Sequence, residues 1–183
     1  MADSLPEPWL RGPVEGIPAL LQPAAHALVM AVEDVERATE GLSENDLWLE
    51  PGGAASVGFH LAHLSGATDR LFTYARGERL NDAQKRQLAS ERPAPDARPS
   101  LETLLDGWRA TVAAAMRQLS QTSEDSLLTP RLVGRAQLPS TVLGLLFHAA
   151  EHASRHTGQV VTTCKVLRGS ETGLPGGREP TRG

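Results

Sequence analysis

Between Pro139-Ser140 and Gly169 the chain reads TVLGLLFHAAEHASRHTGQVVTTCKVLRG, 29 residues with no proline. Apolar and small side chains recur through it at Val142, Leu145, Ala149 and Val160, the spacing of three to four that gives a helix one buried face. His152 and His156 fall on the same stripe. The run predicts a helix of more than seven turns, and any helix packed along it must be long as well.

Three further runs supply such partners. In ALLQPAAHALVMAVEDVERATEG the apolar face passes through Leu21, Ala25, Leu28, Val32 and Val35, with Pro23 tolerable only near the start and Gly41 as a stop. Ser56 can cap SVGFHLAHLSGATDRLFTYARG, where Leu61, Leu64, Leu71 and Ala75 share a face and Gly77 ends the helix. Ser100 likewise opens SLETLLDGWRATVAAAMRQLSQ, with Leu101, Leu104 or Leu105, Trp108, Val112, Ala115 and Leu119 facing inward. Gly107 lowers helix propensity there by about 1 kcal/mol, which so apolar a face outweighs.

The connections are less regular. LSENDLWLEPGG follows the first helix, and residues 78–99 form a polar, proline-bearing crossover with room for one short helix at 83–90. SEDSLLTPRLVGRAQLPS reads as irregular or briefly extended. With no convincing sheet, the expected fold class is all-α, a four-helix bundle. The domain reading is a lead over 1–18, one bundle domain over 19–169, and a tail over 170–183 that has no apolar payload and reads as disordered.

Composition narrows the function classes. Eighteen basic residues against 22 acidic, net charge −4, argue against a nucleic-acid binder held by a basic surface. The single cysteine, Cys164, excludes an internal disulfide framework and fits a reducing compartment. MADSLPEPWLRG lacks the basic start and apolar run of a secretory signal, and no stretch approaches 18 uninterrupted apolar residues. A cytoplasmic protein without a membrane partner is the expectation.

HAAEHASRH places His148, His152 and His156 at intervals of four. Residues four apart on a helix lie nearly above one another and drift by about 40 degrees per step. His152 and His156 can therefore aim at one point, whereas His148 is turned roughly 80 degrees from His156. A further ligand must come from another helix, and the second helix carries His60 and His63. Three imidazoles suit zinc and leave a coordination position open, although nickel, cobalt and iron accept the same donors. Surface histidines and histidines bound to other protein groups show the same spacing. His26 stands alone in the first helix and reads as a packing or surface residue. Glu151 points about 100 degrees away from His152, and no carboxylate is placed by spacing as a general base.

SVGFHLAHLSGATDRLFTYARGE and HAAEHASRHTGQVV, the latter ending its histidine pair in HTGQ, resemble the DinB/YfiT-like superfamily of metal-binding four-helix bundles over residues 20–167. The resemblance implies metal ligands at His63, His152 and His156, and leaves His60 and His148 one turn before a ligand as candidate catalytic or pocket-lining groups. Gly158 could then permit close helix approach, and Gln159 could orient a ligand. Arg70 could meet an anionic substrate, with Tyr74 and Arg76 as weaker versions of that idea, and Arg131 and Arg135 could rim a mouth. Trp48 and Trp108 read as core or pocket wall, and Cys164 lies too far along the helix to be a ligand.

The resemblance further implies a divalent metal, zinc or nickel, and a small-molecule substrate. Branches of the superfamily include low-molecular-weight-thiol transferases, a mycothiol-dependent isomerase and metal-dependent hydrolases. The expected activity is that of a thiol transferase, with a hydrolase or a non-enzymatic metal-binding or interaction bundle as alternatives. A homodimer is consistent with a small bundle, but no stripe in the sequence marks the interface.

Overall fold

The computed structural model describes residues 6–171. Its long helices are α1 (Gln22–Thr39), α3 (Val57–Ala75), α5 (Leu101–Gln121) and α6 (Val142–Glu171); α2 (Glu44–Leu47) and α4 (Asp82–Ala89) are short. Helix α3 packs on α5 and α6, and α1 packs on the same two. Around the bundle the order is therefore α1, α6, α3, α5. Helices α1 and α3 face each other across it, so the bundle is not one in which each helix packs on its successor.

The predicted helix starts follow the side chains that can accept from a free backbone N–H. Ser56 accepts from the Phe59 amide and Ser100 from the Thr103 amide, each at 3.2 Å. Asn81 and Gln84 form a reciprocal capping box on α4. The last helix begins slightly later than Pro139-Ser140 suggests, because Thr141 Oγ1 accepts from the Gly144 amide at 3.0 Å. Helix C-termini are closed by arginines from elsewhere in the chain. Arg168 donates to the carbonyls of Ala38 and Glu40 at the end of α1, and Arg131 Nε donates to the Ala75 carbonyl at 2.7 Å. Arg131 thus finishes α3, a use that its position in the sequence did not disclose.

Two connections hold more structure than expected. Ser43 caps the single turn of α2 within LSENDLWLEPGG. In the segment read as irregular or briefly extended, β1 (Pro130–Val133) and β2 (Leu138–Thr141) form an antiparallel hairpin pairing Pro130 with Thr141 and Val133 with Leu138. Gly134 and Gln137 bracket its loop at φ 68° and 50°. Short, proline-bearing strands without clear alternation leave little trace in a sequence.

The core is one cluster. Leu28, Leu61, Leu64, Trp108, Leu119, Leu146 and Ala149 are completely buried, and Leu104 rather than Leu105 turns inward on α5. Leu71 packs against the core as expected and Phe72 is buried in addition, since α3 is covered on more than one side and a single stripe underestimates its contact face. Trp48 stacks so closely on α3 that a Cβ at Gly58 would lie 2.7 Å from its ring. Its Nε1 donates to the Pro99 carbonyl at 3.3 Å, tying α2 to the start of α5. Cys164 is buried. No described helix is long and apolar enough to cross a membrane. The tail reading over 170–183 falls almost wholly outside the described residues.

Candidate metal centre

Because α3 and α6 are neighbours, the first two turns of α3 face the middle of α6. This juxtaposition brings His63 to His152 and His156: one ligand atom from each lies within 4.8 Å of the others, a cluster able to coordinate a divalent metal. The Nε2 atoms of His63 and His152 are 3.0 Å apart. Two nitrogens at about 2.0–2.1 Å from one ion are separated by roughly 2.9–3.4 Å at ordinary coordination angles, so this pair has the spacing of two ligands on one ion. The ring centroids of His63 and His152 lie 4.6 and 4.5 Å from that of His156.

The two remaining histidines occupy different positions. His60 is 6% exposed, and its Nδ1 lies 3.0 Å from Nδ1 of His156. It thus meets His156 on that ring's Nδ1 edge. The His148 side chain is 51% exposed and stands 3.4 Å from Glu151. Its ring centroid is 5.6 Å from that of His152, one turn outward from the cluster. His26, on α1, bonds to the Gly12 carbonyl and takes no part.

Sequence reasoning missed Glu91. It lies in the crossover between α4 and α5, is 6% exposed, and places Oε2 2.7 Å from Nδ1 of His63. Its Oε1 forms an ion pair with Arg70 at 2.8 Å. Arg70, which the resemblance offered as a group to meet an anionic substrate, is instead buried against this carboxylate. Charge patterns within one helix could not signal a partner 21 positions away in an irregular segment. Arg76 bonds to Glu78 and Gln118 near the exposed end of α3. The close-approach reading of Gly158 is overturned: it is exposed, and a Cβ there would meet nothing within 4 Å. Gln159 is exposed as well.

Electrostatics favour the neutral form of His60, His152 and His156, the state in which nitrogen can ligate a metal. Burial, reinforced by His156 and His63, lowers His60 from 6.5 to about 4. His152 falls to about 4 for the same first reason, with repulsion from His156, His63 and His148. Burial also lowers His156, helped by His63 and Arg155 and opposed by Glu91. For Glu91 burial pushes the carboxyl upward, but the contacts to His63 and Arg70 outweigh it and hold the group below the ordinary range.

A pH dependence follows for the metal-free protein. The unfolded chain protonates His60 and His152 near 6.5, while the folded chain resists until about 4. The stability contributed by keeping them neutral is thus complete above about pH 6.5 and is lost as the pH falls toward 4, at about 1–2 kcal/mol per pH unit for two such groups. Urea unfolding at pH 7 and pH 5 checks this: the midpoint should fall on acidification, and a midpoint that did not move would contradict the burial of these rings.

The geometry agrees with what the chain is similar to. A family model described as DinB superfamily matches residues 27–160. Among solved structures, a conserved protein from Enterococcus faecalis aligns with TM-score 0.64 at 20% identity, covering 81% of this chain and 97% of its own. A DinB-like protein from Bacillus cereus ATCC 10987 aligns with TM-score 0.59 at 19% identity, covering 84% and 94% respectively. At these identities the likeness is one of fold. No curated protein matches the chain.

Proposed function

Because the chain belongs to the DinB superfamily, we propose that it is a divalent-metal-dependent enzyme using His63, His152 and His156, and that it transfers a low-molecular-weight thiol to a small electrophile. The observation that carries the reading is the convergence of three imidazoles from two helices, with ligand atoms within 4.8 Å. Three protein ligands leave a coordination position for a reactant, whereas structural sites ordinarily close with four. Zinc and nickel both suit the donors.

A metal held there supplies a Lewis-acid position at which a thiol, or water, loses its proton near neutral pH. The chain's own residues do the rest. Burial and mutual repulsion hold His152 at about 4, so at neutral pH its lone pair is available. His60, against Nδ1 of His156, fixes the orientation of that ring. His148, exposed one turn outward and beside Glu151, is placed to carry a proton between the site and solvent.

Water in the open position would make the same centre a hydrolase, the competing reading. Incubating the zinc- or nickel-loaded protein with bacillithiol, mycothiol or glutathione and an electrophilic test substrate separates the two. Metal-dependent consumption of one thiol is the expected result, with turnover falling at least tenfold in His148→Ala if that side chain carries the proton. Hydrolysis without thiol would select the hydrolase, and no turnover with any of these would leave a metal-binding bundle.

A further inference from the structure

The crossover between α4 and α5 places Glu91 against His63 and the next residue, Arg92, against Phe59, which stacks on the same imidazole. Glu91 meets the ring's edge, with Oε2 2.7 Å from Nδ1. The Arg92 guanidinium lies 4.1 Å from the centre of the Phe59 ring, and Phe59 is stacked on His63 at 5.5 Å with an interplanar angle of 13°. One contact opposes rotation of the imidazole in its plane, and the other opposes tilting out of it.

The Glu91 carboxylate is itself held. Arg70, two turns beyond His63 on α3, pairs with Oε1 at 2.8 Å. Gly66 lies between them in sequence and leaves the space: a Cβ there would come within 2.6 Å of Arg70 Nη1 and 2.8 Å of Glu91 Oε1. Burying two charges is expensive, and a buried ion pair often adds no more stability than a well-packed apolar pair. What this pair does accomplish is geometric. A carboxylate engaged by a guanidinium can only accept from Nδ1, so the imidazole proton resides there and the Nε2 lone pair faces His152.

We propose that Glu91 is a positioning residue that sets the tautomer and orientation of His63 for metal binding, and that Arg70 and Gly66 hold it in place. The crossover thereby becomes part of the centre. This inference rests on the three-histidine metal site proposed above. Outer partners of ligating histidines typically contribute 10–100-fold to metal affinity.

The test compares Zn2+ and Co2+ titrations of the full chain with those of Glu91→Gln, the double variant Glu91→Ala/Arg70→Met, and His63→Ala. The double variant removes both charges together, so no orphaned buried ion remains to unfold α3. Circular dichroism establishes that each variant is folded. Both Glu91 variants are expected to bind metal roughly 10–100-fold more weakly than the unaltered protein. In the metal-free state, nitrogen-15 shifts of His63 should report a proton on Nδ1 in the unaltered protein and a mixture of tautomers in the double variant. A purely structural role for Glu91 would not move that signal.

Folded Glu91 variants that bind within about twofold of the unaltered protein, while His63→Ala loses the metal, would overturn the positioning role and leave the site standing. Unaltered binding by His63→Ala would overturn both.

Discussion

His152→Ala and His63→Ala are each expected to weaken Zn2+ or Ni2+ binding by at least a hundredfold, so that elemental analysis of either purified variant finds little metal where the unaltered protein holds about one equivalent. Losing an outer partner of a ligating histidine already reduces affinity roughly 10–100-fold, and losing one of three ligands must exceed that. The two substitutions lie on different helices, α3 and α6, yet should behave alike because their Nε2 atoms are 3.0 Å apart. His26→Ala supplies the control, since that ring lies on α1 and is bonded to the Gly12 carbonyl, and its loss should leave the metal content unchanged. Equimolar metal retained in both site variants would defeat the cross-helix centre.

The largest expected effect on stability belongs to Trp108→Ala. This indole on α5 is completely buried in the core cluster. Truncation should cost about 3–5 kcal/mol in lost burial and residual cavity. For a chain of this length that corresponds to a fall of roughly 6–20 °C in Tm. Trp108→Phe should be much milder, because Nε1 has no hydrogen-bond partner to lose. Thermal unfolding followed by circular dichroism measures both. A drop in Trp108→Ala too small to resolve would mean that the surrounding helices close over the space.

Much of this was legible before any coordinates. The four long helices follow from apolar spacing and from Ser56 and Ser100, whose hydroxyls accept the N-terminal amides that the periodic runs leave free. The pairing of His152 with His156 follows from helical pitch, which also turns His148 aside. Local geometry alone left His60 and His63 as alternatives. The family resemblance pointed to His63, and the structure places it beside His152 and His156 while His60 meets Nδ1 of His156.

What escaped the sequence has a common cause. The β1–β2 hairpin, the closure of α3 by Arg131, the burial of Arg70 and the contact of Glu91 with His63 all join residues whose periodic patterns carry no mutual signal. Gly66 is the clearest instance. In sequence it is one small residue among many, whereas in the fold its missing Cβ is the space occupied by the Arg70–Glu91 pair.

The sequence by itself determined the four long helices and most of their inward faces, because helix period, capping chemistry and the pitch between histidines act over a few residues. Only the tertiary structure decided that α6 lies beside α3, that α1 lies across from α3, and that an irregular crossover brings a carboxylate to Nδ1 of His63. Those outcomes depend on how whole faces pack and on where a 25-residue excursion between α3 and α5 returns to the bundle. No local rule of spacing contains that information.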